Sequence, residues 1–178
     1  MALTKITGSG LGASKILQVK STVKSNTQSI VGTTFADVIS VSITPTSSSS
    51  TILIMCDLNI TCGLSDANTT GARYSGVKLY RGSTQIGVNS DISGTQSAVW
   101  FSVQSTETSN SGFQQKNSSG SFVDSPSSTS AITYKIQAGN TYNNAHYTYI
   151  NRPSYGAGDS QTYVHKGVST LTVMEISA

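Results

Sequence analysis

The chain has 178 residues and a mass of 18.6 kDa, a length that suits a single domain with its own core. Only 11% of the residues are charged and the net charge is +3, with Lys and Arg scattered, so the basic cluster typical of nucleic-acid binders is absent. No run approaches the ~18 apolar residues of a membrane span, and residues 1–10 lack the apolar stretch of a secretory signal. We therefore expect synthesis in a reducing cytoplasm, with no membrane insertion and no nucleic-acid partner.

Serine and threonine dominate the composition, with 32 Ser and 23 Thr, nearly a third of the chain. Disordered chains combine low hydrophobicity with high net charge, whereas here 36% of residues are apolar and the charge is small. The dense stretches are rich in Ile, Val, Thr and Tyr, which are strand formers. The composition therefore predicts a β-protein with a hydroxyl-rich surface over a β-branched core.

The first half of the chain shows strand-like alternation between turn residues. Residues 16–23 and 34–35 are predicted as strands, and residues 24–32 as a loop or an irregular strand. Apolar residues then alternate over 39–43 and over 52–60, where Ile52, Ile54, Cys56, Leu58 and Ile60 make one apolar face. Cys56 and Cys62 would lie roughly 20 Å apart on one extended strand, too far for a disulfide. We expect two buried free thiols.

Residues 77–81 and 84–88 predict a hairpin, because Gly82-Ser83 suits a tight type II′ turn. Further strands are predicted at 98–103, 121–123, 131–136, 146–150 and 171–176, with polar loops at 61–70, 104–119 and 152–167. The sum is nine or ten short strands without helical periodicity. This pattern predicts an all-β fold, an antiparallel β-sandwich of jelly-roll type, spanning residues 15–178 as one domain after an arm at 1–14.

Residues that carry chemistry are few and dispersed. The eight carboxylates show no paired spacing, and neither metal-ligand, phosphate-loop nor nucleophile-elbow motifs occur. His146 falls in a predicted strand and is expected to be structural, and with so many serines a Ser/His/Asp set carries no information. We therefore expect no catalytic activity, no cofactor and no metal.

Tyrosines crowd the last third of the chain beside Asn and Arg donors. Such rings supply rigid contact area for a sugar or a protein surface, although strand tyrosines also pack at the rim of a sheet without any ligand. The candidate ligand or partner surface comprises Tyr142, Tyr147, Tyr149, Asn151, Arg152, Tyr155 and Tyr163. Trp100 is expected in the core or between subunits.

The strand at 171–176 is apolar on both faces. Leu171 and Val173 fall on one face, and Met174 and Ile176 fall on the other. One face would cover the core of the domain. The other face would need a second cover, for which a neighbouring subunit is a candidate.

Several segments resemble small structural proteins of aquatic tailed bacteriophages. The "ITP" strand end at 43–45, followed by the Ser47–Ser50 tract and "ILI" at 52–54, is one of them. The others are "LYRGST" at 79–84, "DSP" at 124–126 with "TYK" at 133–135, "INR" at 150–152 and the closing "LTVMEI" at 171–176. Residues 2–6 resemble the linker that precedes such domains in fibre proteins.

This resemblance implies a non-enzymatic virion appendage protein, typically a homotrimeric β-sandwich at a tail-fibre or receptor-binding tip. The alternatives are a capsid decoration protein of the same fold and a stand-alone carbohydrate-binding module. The expected partners are further copies of the chain, other virion proteins held through the arm, and host surface glycans. The candidate anchoring residues of the arm are Leu3, Lys5, Ile6 and Leu11.

Overall fold

A computed structural model describes residues 15–64, 71–107, 115–140, 146–154 and 165–178. Within these ranges the chain forms eleven β-strands and no helix, so the predicted all-β class is confirmed, with eleven strands instead of nine or ten. The strands are β1 (Ile16–Lys24), β2 (Gln28–Val31), β3 (Phe35–Ile43), β4 (Thr51–Leu64), β5 (Gly71–Arg81), β6 (Thr84–Ile86), β7 (Phe101–Glu107), β8 (Lys116–Asp124), β9 (Ile132–Gly139), β10 (His146–Ile150) and β11 (Ser169–Ile176).

Sheet A is built around the fourteen-residue strand β4. One flank of β4 pairs with β8, and the other pairs first with β11 and then with β10. Strand β1 lies beyond β11, and β2 lies beyond β10. All pairs are antiparallel. The central strand is β4, which pairs directly with β8, β10 and β11.

Sheet B has five strands in the order β3-β9-β5, after which both β6 and β7 pair with β5. The β5–β6 hairpin confirms the predicted one: Arg81 pairs with Thr84, and Gly82 has a φ of +59° while Ser83 does not have a positive φ. A positive φ at the first turn residue alone is the type II′ pattern, which favours glycine there.

The core lies between the two sheets and consists of the inward halves of the alternating strands. In β4, Ile52, Ile54, Cys56, Leu58 and Ile60 are all buried, as their spacing predicted. Sheet B contributes residues such as Leu79 and Ile136, which are fully buried. Trp100 and Phe101 pack at the border of this core, with ring centroids 5.2 Å apart.

Polar contacts join the two sheets inside the sandwich. The Ser75 and Thr148 hydroxyls are 2.6 Å apart and buried. Asp124 of β8 accepts hydrogen bonds from the Arg81 guanidinium at 2.9 Å and from the Tyr134 hydroxyl at 2.7 Å. Because Arg81 and Tyr134 belong to sheet B, this buried carboxylate connects the sheets at one end. Burial, and then the bond to Asp124, raise the pKa of the Tyr134 hydroxyl.

Two of the predicted loops, and the segment predicted as a loop or an irregular strand, are partly strands. Residues 24–32 contain β2, residues 61–64 continue β4, and the region 104–119 contains the end of β7 and the start of β8. Residues 104–119 and the stretch before Ile30 are polar, so their side chains give little alternating signal, whereas Cys62 and Leu64 continue the alternation of β4. These segments extend because their backbone groups pair with neighbouring strands, for example Ser119 with Asp57.

Neither cysteine forms a disulfide and both are buried, as the strand geometry predicted. Burial, with a smaller contribution from neighbouring Asp57, raises the pKa of the Cys56 thiol to about 12. Because the thiolate is the reactive form, we expect neither cysteine to react with a disulfide reagent at pH 8 in the folded protein. Both should react after unfolding in guanidinium. A fast-reacting thiol in the native protein would contradict this arrangement.

Candidate binding surfaces

The predicted tyrosine surface is partly assembled on the outer face of sheet A. Tyr147 and Tyr149 are two residues apart on β10, so both project to the same side, and their rings stack with centroids 5.7 Å apart. The Arg152 guanidinium lies over the Tyr149 ring at 4.5 Å from its centroid. The result is a three-layer stack of two rings and one planar cation.

The Arg152 side chain is held in place by its own loop and by β2. Its Nε donates to the Pro153 carbonyl at 3.1 Å, and its terminal nitrogens donate to the Ser29 hydroxyl and the Ser154 carbonyl. Burial lowers the pKa of Arg152, and the adjacent Tyr149 partly offsets that effect. Tyr149 is buried, whereas Tyr147 and Arg152 are partly exposed. Only the last two could therefore contact a ligand at this stack.

Asn151 has a structural position. It is fully buried and adopts a positive φ of 61°, a conformation in which Asn is enriched. Its amide nitrogen donates to the carbonyls of Lys24 and Asn26, and its amide oxygen accepts from the Ser169 hydroxyl. The side chain therefore ties three segments together and does not face a ligand.

The remaining predicted site residues lie outside the residues that the structure describes. They are Tyr142, Tyr155 and Tyr163 of the tyrosine surface, and Leu3, Lys5, Ile6 and Leu11 of the arm. Of the two histidines, His165 is exposed and His146 is buried in β10, where its carbonyl accepts from Gly32 and Asn140.

A second surface covers the outer face of β1, β11, β4 and β8. Val19, Met174, Leu53 and Val123 are consecutive cross-strand neighbours and form an aliphatic row across all four strands. Val19 is 50% exposed and Val123 is 57% exposed. Further outward apolar residues extend the row on both sides. We call this set the apolar outer face; its members are Ile16, Val19, Leu53, Met55, Val123, Met174 and Ile176.

The apolar outer face is almost free of charge. Within its four strands, Asp57 is the one charged residue on the outward side. The register places the other charged residues of these strands on the opposite side, which faces the core or its edge. The prediction that β11 is apolar on both sides holds: Leu171 and Val173 are fully buried, while Met174 and Ile176 are half-buried on the outside. The extension to β1 and β8 was not predicted, because it depends on which strands pair.

Within the described ranges, no group of three or more His, Cys, Asp or Glu residues is arranged to hold a metal ion. The same part of the chain contains no helix long and apolar enough to cross a membrane. The class that the fold defines is a two-sheet antiparallel β-sandwich with an apolar outer face. Neither the known protein families nor the curated proteins contain a match to this chain.

Proposed function

We propose that the protein is a non-catalytic structural module of a tailed-bacteriophage virion, which assembles as a homotrimer through the apolar outer face of sheet A and serves as a receptor-binding tip. The observation that carries this proposal is the aliphatic row Val19–Met174–Leu53–Val123 at the surface of one chain. Contiguous exposed apolar residues on a soluble protein mark an interaction site. The resemblance of the sequence to phage appendage proteins supplies the context.

A second copy of the same chain is the occupant that the charges favour. The chain carries a net charge of +3, yet Lys and Arg are absent from the outward side of these strands and Asp57 is the one charge there, so like-charge repulsion between copies is small. A largely apolar and hydroxyl face with a single carboxylate offers little that selects a highly charged partner. In a closed trimer the contact is heterologous, so one part of this face would pack against another part of the neighbour's face around the threefold axis.

We expect the purified protein to sediment at three times the 18.6 kDa chain mass, and Leu53→Lys to sediment as a monomer. Leu53 lies in the middle of the row, so a lysine there places an ammonium group inside each interface. The matched control is Ser40→Lys, which adds the same charge to an exposed position on the outer face of sheet B. A wild-type monomer, or a trimer that Leu53→Lys leaves intact, would refute assembly through this face.

The place in the virion is tested separately. A receptor-binding tip predicts few copies per particle by quantitative mass spectrometry, and free protein that blocks adsorption of the phage to its host. Many copies, without any effect on adsorption, would instead indicate capsid decoration. A protein that is strictly monomeric and binds glycans would favour a carbohydrate-binding module.

A further inference from the structure

The outer face of sheet B lies on the opposite side of the sandwich from the apolar outer face and has a different chemistry. Its cross-strand neighbours include Lys78 beside Gln137, and Gln137 beside Asp37. Asp37 accepts hydrogen bonds from Gln137 at 2.7 Å and from Lys135 at 3.1 Å. A polar, aromatic-bearing face of this kind suits a hydrophilic ligand better than a subunit contact.

At one end of this face Gly76 of β5 and Gly139 of β9 are cross-strand partners, and the missing side chains let neighbouring groups pack close to the sheet. A groove of about 390 Å³ opens here, between the rings of Phe35 and Tyr74 on one side and the segment from Thr95 to Val99 on the other. A Cβ added to Gly76 would lie 2.6 Å from the Val99 side chain and 3.2 Å from the Phe35 ring. The glycine therefore allows Val99 and Phe35, which both line the groove, to pack directly on β5.

The groove combines an aromatic surface with free hydroxyls. Tyr74 is 46% exposed, and Thr95 and Ser102 are exposed at the rim, where no hydrogen bond from their hydroxyls is formed within the described chain. The Lys78 ammonium lies 3.9 Å from the centroid of the Phe35 ring and forms no ion pair with any described residue. Each hydroxyl is both a donor and an acceptor, which matches the hydroxyls of a sugar.

We propose that this groove binds a carbohydrate, with one sugar ring against Tyr74 and its hydroxyl groups exchanging hydrogen bonds with Thr95 and Ser102. Sugar rings have apolar C–H faces that pack on aromatic rings, and few convergent polar groups then fix their orientation. An extended peptide would need a free strand edge, whereas Gly76 in the groove is paired on both sides, with Ser102 of β7 and Gly139 of β9. A nucleic acid would need a basic cluster, and the groove has one lysine beside it.

This inference does not require the proposed assembly, but the two are compatible. Because the groove is on the side of the sandwich away from the apolar outer face, covering that face leaves the groove open. Each copy in a trimer would then carry one site, and several weak sites on one rigid body bind a repetitive glycan by avidity.

Saturation-transfer difference NMR tests the proposal with glucose, galactose, N-acetylglucosamine and glucuronic acid as probes, and with glycerol as the polyol control. We expect magnetisation transfer to the ring protons of at least one sugar and none to glycerol. Tyr74→Ala should weaken that binding about tenfold, the size of a lost aromatic stack. Absence of transfer to every sugar, or equal transfer to glycerol, would overturn the proposal.

Two further variants locate the site. Tyr80→Ala removes a tyrosine from the same strand and the same outer face, roughly 20 Å away at ~3.3 Å per residue, and should leave sugar binding unchanged. Ser102→Phe places a ring in the groove from an exposed position and should abolish binding while the circular dichroism spectrum stays native. If Tyr80→Ala weakens binding as much as Tyr74→Ala, or if Ser102→Phe binds normally, the groove is not the site. Sedimentation of the same variants reports on assembly independently.

Discussion

Replacing Glu175 with glutamine should lower the free energy of unfolding by about 2–3 kcal/mol, because hydrogen bonds to a buried charged group are worth about 1.5–3 kcal/mol. Glu175 is fully buried in β11. Its carboxylate accepts from the Gln18 amide at 2.6 Å, and from the backbone N–H and the hydroxyl of Thr46, both at 2.7 Å. The Gln18 amide nitrogen also donates to the Thr44 carbonyl, which fixes its orientation. The NH₂ group of a glutamine at position 175 would then face either this donor or the donors of Thr46, and one hydrogen bond would be replaced by a donor–donor contact.

The same carboxylate predicts how stability depends on pH. Burial alone raises the pKa of Glu175, but the hydrogen bonds from Gln18 and Thr46 outweigh it and hold the pKa near 2, below its usual 4.5. The unfolded chain therefore takes up a proton at a higher pH than the folded protein does. The stabilising contribution is complete above pH 4.5 and is lost as the pH falls toward 2.

Urea unfolding at a series of pH values between 7 and 2 measures both effects. Wild type should lose stability between pH 4.5 and 2, and Glu175→Gln should lack that part of the loss. Asp91→Asn, which neutralises an exposed carboxylate in the connection between β6 and β7, is the matched control and should follow wild type. Parallel curves for wild type and Glu175→Gln through this range would show that the carboxylate is not held as described.

The second large effect is expected at Gly139, where alanine should cost about 3 kcal/mol or more, at the upper end of overpacking effects. A Cβ at this position would lie 2.2 Å from the Thr34 carbonyl oxygen and 2.8 Å from the Cα of Phe35. Both are backbone atoms, so no side-chain rotation relieves the contact. The strand β3 would have to move away from β9, which breaks the sheet B ladder at that edge.

Thermal or urea unfolding compares Gly139→Ala with Gly94→Ala. Gly94 has a φ of +62° and open space around it, so alanine there costs roughly 1 kcal/mol through the left-handed backbone alone. Gly139 does not have a positive φ, so its loss comes from the steric contact and should clearly exceed the backbone loss at Gly94. Equal losses would mean that β3 and β9 are not as close as described.

The sequence predicted the strands whose side chains alternate and missed those whose side chains do not. The apolar face from Ile52 to Ile60 and the two faces of β11 follow directly from a period of two. Residues 116–119 of β8 are Lys-Asn-Ser-Ser and show no such period. They are extended because β4 presents an unpaired backbone edge to them, which is information that lies in another part of the chain.

The candidate surfaces also differ in whether the local sequence could predict them. The stack of Tyr147 on Tyr149 follows from two tyrosines on one side of a strand. The groove beside Gly76 is not visible locally, since Phe35 and Tyr74 come from strands that meet only through β9. Asn151 illustrates a further limit: its type suggested a ligand donor, whereas its amide completes hydrogen bonds between segments more than a hundred residues apart.

The pairing of β1 with β11 has a consequence for how this protein folds. The hydroxyls of Ser21 and Thr172 meet 2.9 Å apart across 151 residues of sequence, and residues 170–176 of β11 lie between β1 and β4. Pairings with so large a sequence separation slow folding, because the entropy of closing the loop is lost before the contacts form. During synthesis, β1 has no partner until β11 leaves the ribosome. In stopped-flow refolding, we therefore expect the β1–β11 pairing of sheet A to form last, on a timescale of milliseconds to seconds.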